Sequence, residues 1–195
     1  YGILFSTVRN YRQVEWEGEI HSVDPGGSTP SRVLDALGSM AAVSPGGRYI
    51  AFVRGACRIT REYYRGPANR KVWIYNTEKG TYTRVDRSDA QDIYPRWYDR
   101  NTLYFLSSRS GNYNIHSVSI SEEGPGEAVQ ITDFEGDGIR YFDVSSESEK
   151  IVAERGTGIY LINTDGSGAR KLVIDAGTDY RFDPVGYKNY TSNVN

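Results

Sequence analysis

The chain of 195 residues contains one cysteine, one methionine and two histidines. A lone thiol, Cys57, excludes an internal disulfide framework and a cysteine-based metal site, although it does not decide the redox compartment. No apolar run approaches the ~20 residues of a membrane-spanning helix. Leucine and alanine, the usual helix fillers, are sparse. The formal charge of −2 gives no reason to expect nucleic acid or an anionic membrane surface as a partner. The opening "YGILFS" has neither Met nor a signal-like segment, so the chain reads as a piece of something longer.

What the chain does have is tyrosine and glycine, 16 and 21 of them, a mixture that favours strands and tight turns. It also repeats itself. Four segments share one order: an apolar triplet, a loop, a strand of alternating apolar residues, a turn and a further strand. They are "ILF…EIHSVDPGGSTPSRVL", "YIAF…KVWIYNTEKGTYTRV", "TLYF…NIHSVSISEEGPGEAVQIT" and "KIVA…GIYLINTDGSGARKLV". Ile20, Val72, Ile115 and Ile159 take the same slot, at spacings of 43 to 52 residues. That period matches one four-stranded blade of a β-propeller. "DPGG", "TEKG" and "TDGSG" supply glycine to the hairpins after these strands. "VSPGGRYIAF", "PRWYDRNTLYF" and "DVSSESEKIVA" each read as a strand, a polar turn and a strand, hence the first hairpin of a blade. The expected fold is all-β: a β-propeller of four-stranded antiparallel blades, about four of them present, part of a six-bladed ring. The expected boundaries are 1–38, 39–90, 91–136 and 137–178 within a propeller region 1–180, followed by a linker or the start of another domain over 181–195.

"SPGGRYIAF" followed by "VWIYNTEKGTYTRV" resembles the repeat of TolB-type and tricorn-type propellers, whose usual hairpin is Trp-Ser-Pro-Asp-Gly-Lys before Ile-Ala-Phe. Here Gly46 replaces the Asp, and later copies are reduced to "WYDRNT" and "SSESEK". "RGACRITREYYRGPANRKVWIYN" resembles an insertion in the N-terminal propeller of tricorn-type serine proteases. "YPRWYDRNTLYFLSSRSGNYNI" is similar to the blade that follows it, and "DPVGYKNYTSNVN" to the connection out of that propeller. The likeness covers about residue 40 to the end. It implies a parent with two propellers, a PDZ-like domain, and helical-bundle and α/β modules that carry the catalytic residues. This chain would then hold none of them and would scaffold, guide peptide substrates or products, and contact other domains or subunits. Two alternatives are a TolB-like interaction propeller and the gating propeller of a prolyl-oligopeptidase-type hydrolase.

The stretch from Arg54 to Arg70 holds five arginines, adjacent tyrosines and a Gly-Pro, and is about ten residues longer than its counterpart in the third repeat. Loops between blade strands project from one rim, so Arg58, Arg61, Tyr63, Tyr64, Arg65 and Asn69 are the candidate binding residues, expected at the channel mouth or against an adjacent domain. Guanidinium groups give planar contacts to carboxylates, and tyrosines add rigid apolar area with a polar tip.

Other chemistry fits poorly. His21 and His116 occupy the slot of Trp73 and Tyr160 in the repeat and read as packing residues. No Gly-x-Ser-x-Gly elbow occurs; Ser167 in "DGSG" sits in a hairpin and Ser44 in a repeat turn. "TDFEGDG" (132–138) lacks the ligand spacing of a calcium loop, and "SEEGPGE" (121–127) reads as a solvated acidic turn. Trp73, Trp97, Tyr75, Tyr104 and Tyr160 fall at strand positions and read as blade-face packing, and Asn189-Tyr190-Thr191 fits a glycosylation acceptor. The sequence therefore calls for no catalytic set, metal or cofactor. An arc of four blades leaves blade faces uncovered, so the isolated chain is expected to self-associate or to depend on further sequence.

Overall fold

The computed structural model describes residues 2–9, 17–175 and 186. They form fifteen strands in four antiparallel sheets, each a meander in chain order. The first sheet has three strands among the described residues, β1 (Ile3–Thr7), β2 (Glu19–Val23) and β3 (Ser31–Leu37). The second has β4 (Ser39–Val43), β5 (Tyr49–Arg54), β6 (Lys71–Asn76) and β7 (Thr81–Arg84). In the third are β8 (Asp92–Trp97), β9 (Thr102–Ser107), β10 (Asn114–Ser119) and β11 (Val129–Gln130). The fourth holds β12 (Ile139–Ser145), β13 (Lys150–Arg155), β14 (Gly158–Asn163) and β15 (Arg170–Lys171). The sheets are the blades of a partial β-propeller of about four blades. The segment expected as a linker, 181–195, lies outside the described residues except for residue 186, and so does the Asn189 acceptor.

The alternation of side chains along a strand explains why the sheets stack. Successive residues point to opposite faces, so a sheet between two others must be apolar on both. β5, "YIAFVR", is such a strand, with its first five residues buried. Ile50 and Phe52 join Ile20 and Leu34 of the first sheet, whereas Tyr49, Ala51 and Val53 join the core shared with the third. β6 divides likewise: Val72 and Ile74 belong to the core with the third sheet, and Trp73 and Tyr75 pack toward the first. Full burial of a side chain such as Phe52 or Phe105 stabilises the seam by about 1.5–3 kcal/mol. The aligned residues Ile20, Val72, Ile115 and Ile159 are each the second residue of their strand. The first three are buried, and Ile159, on the last described sheet, is half-buried.

Tyrosine and tryptophan tie adjacent sheets with polar tips as well as ring area. Tyr82 accepts the Asp35 N–H across the first seam at 3.1 Å. Trp97 donates to the Ala42 carbonyl across the second at 3.0 Å, with its ring 6.0 Å from that of Tyr49. Tyr104 donates to the Thr164 carbonyl across the third at 3.0 Å, and Tyr94 meets Tyr141 at 5.1 Å. Blade packing also claims both histidines: His21 and His116 are buried, the first bonded to Glu19 at 3.1 Å and the second beside Phe105.

The edge strands β4, β8 and β12 lie toward the common axis, since β8 contacts both of the others. Each carries a register shift against its neighbour. Met40 and Tyr94 adopt positive φ of 54° and 52° at two of these bulges. A bulge bends the strand and re-aims its side chains, and here Tyr94 turns onto Tyr141 of the next sheet.

The fourth sheet's outward face has no sheet against it among the described residues. Val152 is 44% exposed there, with half-buried Ile159 and Leu161 beside it. Sedimentation of the 195-residue chain is expected to show self-association that weakens in Val152→Lys, because a charge on that face opposes its burial. A monomer in both cases would refute the idea.

Candidate functional site

The segment between β5 and β6 leaves and rejoins the sheet through a narrow neck. Gly55 has φ +119°, and a Cβ there would stand 2.2 Å from the Asn69 carbonyl oxygen, so no other residue fits. Above the neck, the Cys57 N–H bonds to the Ala68 carbonyl at 2.9 Å. Turns then run Arg61 N–H to Arg58 carbonyl and Tyr64 N–H to Arg61 carbonyl, at 3.0 and 3.1 Å.

The insertion leans over the third sheet, which holds it mainly by its carbonyl groups. Gln91 Nε2 donates to the Arg58 and Arg61 carbonyls at 3.3 and 2.6 Å. Ser108 Oγ donates to the Glu62 carbonyl at 2.8 Å, and Arg65 Nη2 returns a bond to the Ser108 carbonyl at 2.9 Å. The Tyr113 N–H reaches the Glu62 carboxylate at 3.3 Å. At the neck, Asn69 Nδ2 donates to the Asp89 carbonyl and Arg70 Nε to the Cys57 carbonyl, the latter at 2.6 Å.

The six candidate residues therefore divide. Asn69 is buried in the neck, and Arg65 is committed to the carbonyls of Glu62, Tyr64 and Ser108. Tyr64 is half-buried under the Arg61 guanidinium, 4.9 Å from its ring centre. Arg58 and Arg61 are exposed, and Tyr63 is 77% exposed. Glu62, Gln91, Ser108 and Tyr113, which hold the insertion in place, carry no signal in the sequence, because three of them belong to the next repeat.

Beneath the neck lies a charged cluster between the second and third sheets. The Asp92 N–H bonds the Arg70 carbonyl at 2.9 Å, and its carboxylate stands 3.7 Å from Lys71 Nζ and 3.6 Å from Arg109. Arg109 also pairs with Asp86. Burial pushes Asp92 up to about 6, assisted by the Asp86 charge and opposed by Lys71, the Ser107 hydroxyl and Arg109. Burial lowers Lys71 as well. In the third sheet's face, burial and then the Arg109 charge bring His116 down to about 4. No set of three His, Cys, Asp or Glu side chains among the described residues could hold a metal ion.

With this geometry established, comparison gives the affiliation. The family profile "Tricorn protease N-terminal beta propeller domain" matches residues 2–178. The chain belongs to that family. No curated protein matches the sequence. Among solved structures, tricorn protease superposes with a TM-score of 0.70 at 16% identity, over 90% of this chain and 17% of that one. A TolB-like protein from Agrobacterium tumefaciens gives 0.68 at 18% identity, over 86% of this chain and 59% of that one. A prolyl endopeptidase gives 0.57 at 14%, over 88% and 25%. These neighbours share the propeller fold, and the tricorn-family chain spans only part of each of them.

The cluster predicts how stability depends on pH. A raised Asp92 binds its proton more readily when folded, so its contribution is present below about 4 and is lost as pH rises through about 6. A lowered His116 does the opposite: its contribution is present above about 6.5 and is lost as pH falls toward 4. The two slopes oppose each other in the same window. In thermal melts between pH 4 and 6.5, Asp92→Asn should become more stable as pH rises, and His116→Asn less stable. Parallel pH profiles for the two variants would contradict this assignment.

Proposed function

We propose that the chain is a non-catalytic propeller segment of a tricorn-like serine protease, and that it scaffolds neighbouring domains and guides peptide access along its axis. The outward side of the insertion is its docking surface for a neighbouring domain or subunit. One observation carries this reading: the insertion is bonded to the third sheet through Gln91, Ser108 and Arg65, while Arg58, Arg61 and Tyr63 remain exposed on top. A pre-organised loop loses little entropy on docking, and Arg and Tyr are the residue types that most often dominate interface energetics. Family membership and the likeness to tricorn protease support a larger parent of this kind.

The test is Arg58→Ala/Arg61→Ala/Tyr63→Ala in the full-length parent and in this segment. Exposed substitutions should change folding stability by no more than about 0.5 kcal/mol each. Titration of the segment into the remaining domains should show affinity falling by about 30-fold or more, consistent with the loss of at least one interface hot spot of about 2 kcal/mol. Unchanged affinity with intact folding would reject the docking role.

A further inference from the structure

A cleft of about 440 Å³ opens on the inner side of the insertion, where it meets the axis-facing strands β8 and β12. That volume lies in the range of small-ligand sites. Ile59 of the insertion, Ile93 of β8 and Ile139 of β12 form an apolar lining, and the exposed Tyr141 ring stands beside them. One wall carries Glu62. Its carboxylate accepts a single hydrogen bond, from the Tyr113 N–H at 3.3 Å, and makes no ion pair among the described residues. The cation in the lining, Arg140, pairs with Glu154 at 3.8 Å instead. Tyr113 itself is buried, and its hydroxyl has no hydrogen-bond partner among the described residues.

A half-buried carboxylate without a counter-ion is costly, and burial, with a smaller push from Asp137, raises Glu62 above the usual carboxylate range. The approach is close by design of the backbone: a methyl group at Gly138 would lie 3.2 Å from both Glu62 oxygens and 2.8 Å from the Tyr113 nitrogen. Three isoleucines and a carboxylate without a counter-ion, beside the mutually paired Arg140 and Glu154, match a ligand that has a cationic tip and an apolar body.

We propose that this cleft binds a primary ammonium group on an apolar stem, either the free N-terminus of a peptide with an apolar first side chain or a lysine side chain, with Glu62 as the counter-ion. Arg58, Arg61 and Tyr63 do not line this cleft, and the proposal does not depend on their docking role.

Titration of the 195-residue chain with Leu-Gly-Gly amide, followed by the NMR amide signals of Tyr113 and Gly138, tests it. Saturable shifts are expected, with affinity at least tenfold weaker for N-acetyl-Leu-Gly-Gly amide. N-acetyl-Gly-Lys-Gly amide distinguishes the sources: binding as tight as the free N-terminus assigns the cleft to lysine side chains, and weaker binding assigns it to N-termini. Glu62→Gln keeps an oxygen for the Tyr113 N–H and should lose at least tenfold in affinity. Thr60→Arg, which leaves Glu62 in place and adds a competing cation to the lining, should do the same. The proposal is overturned if neither cationic peptide gives saturable shifts, if the uncharged acetylated leucine peptide binds equally well, or if both variants bind like the parent.

Discussion

Two-sided burial is the constraint on which this molecule rests. Each sheet presents alternate residues to opposite faces, and an interior blade keeps both faces from water only with a sheet on either side. β5 shows the consequence most plainly, since Ile50 and Phe52 serve one seam and Tyr49, Ala51 and Val53 the other. The four repeats therefore stabilise one another in sequence, as in other repeat architectures where each unit contacts its neighbours. The outward face of the fourth sheet shows what happens where that sequence stops: Val152 is left 44% exposed.

A rigid stack of this kind leaves loops free to vary, because the strands carry the stability. The 55–70 insertion uses that freedom and yet is not loose. It returns its carbonyl groups to Gln91 and Ser108, and it closes its neck at a glycine where no side chain fits. One loop then offers two surfaces of different chemistry. One is cationic and aromatic, with Arg58, Arg61 and Tyr63, and the other sets Glu62 among isoleucines, with the Arg140–Glu154 pair also in its lining. The chain that carries this loop belongs to the tricorn N-terminal propeller family.

The buried charges between the second and third sheets follow a different logic. Lys71, Asp86, Asp92 and Arg109 come together at the connection between two blades, where the chain passes from an outer strand to an inner one. Backbone carbonyls freed by that passage need donors, and Lys71 gives bonds to the carbonyls of Ser88 and Ala90. Such a cluster fixes geometry more than it adds net stability, since desolvation offsets much of the ion-pair attraction.

Period, hairpin chemistry and strand content were all legible in the sequence, because they depend on residues within a few positions of one another. Ile20, Val72, Ile115 and Ile159 share one slot in four strands for that reason, and both histidines could be assigned to packing from the repeat alone. The site was legible only in part. The sequence marked the insertion but could not separate Arg65 and Asn69, which hold it, from Arg58, Arg61 and Tyr63, which face out. That division was decided by Gln91, Ser108 and Tyr113, 30 to 51 residues away along the chain, and Glu62 acquired its cleft only because Ile93, Gly138 and Ile139 of later blades fold against it. Contacts across a blade seam join residues with no fixed spacing, so tertiary packing alone could bring them together.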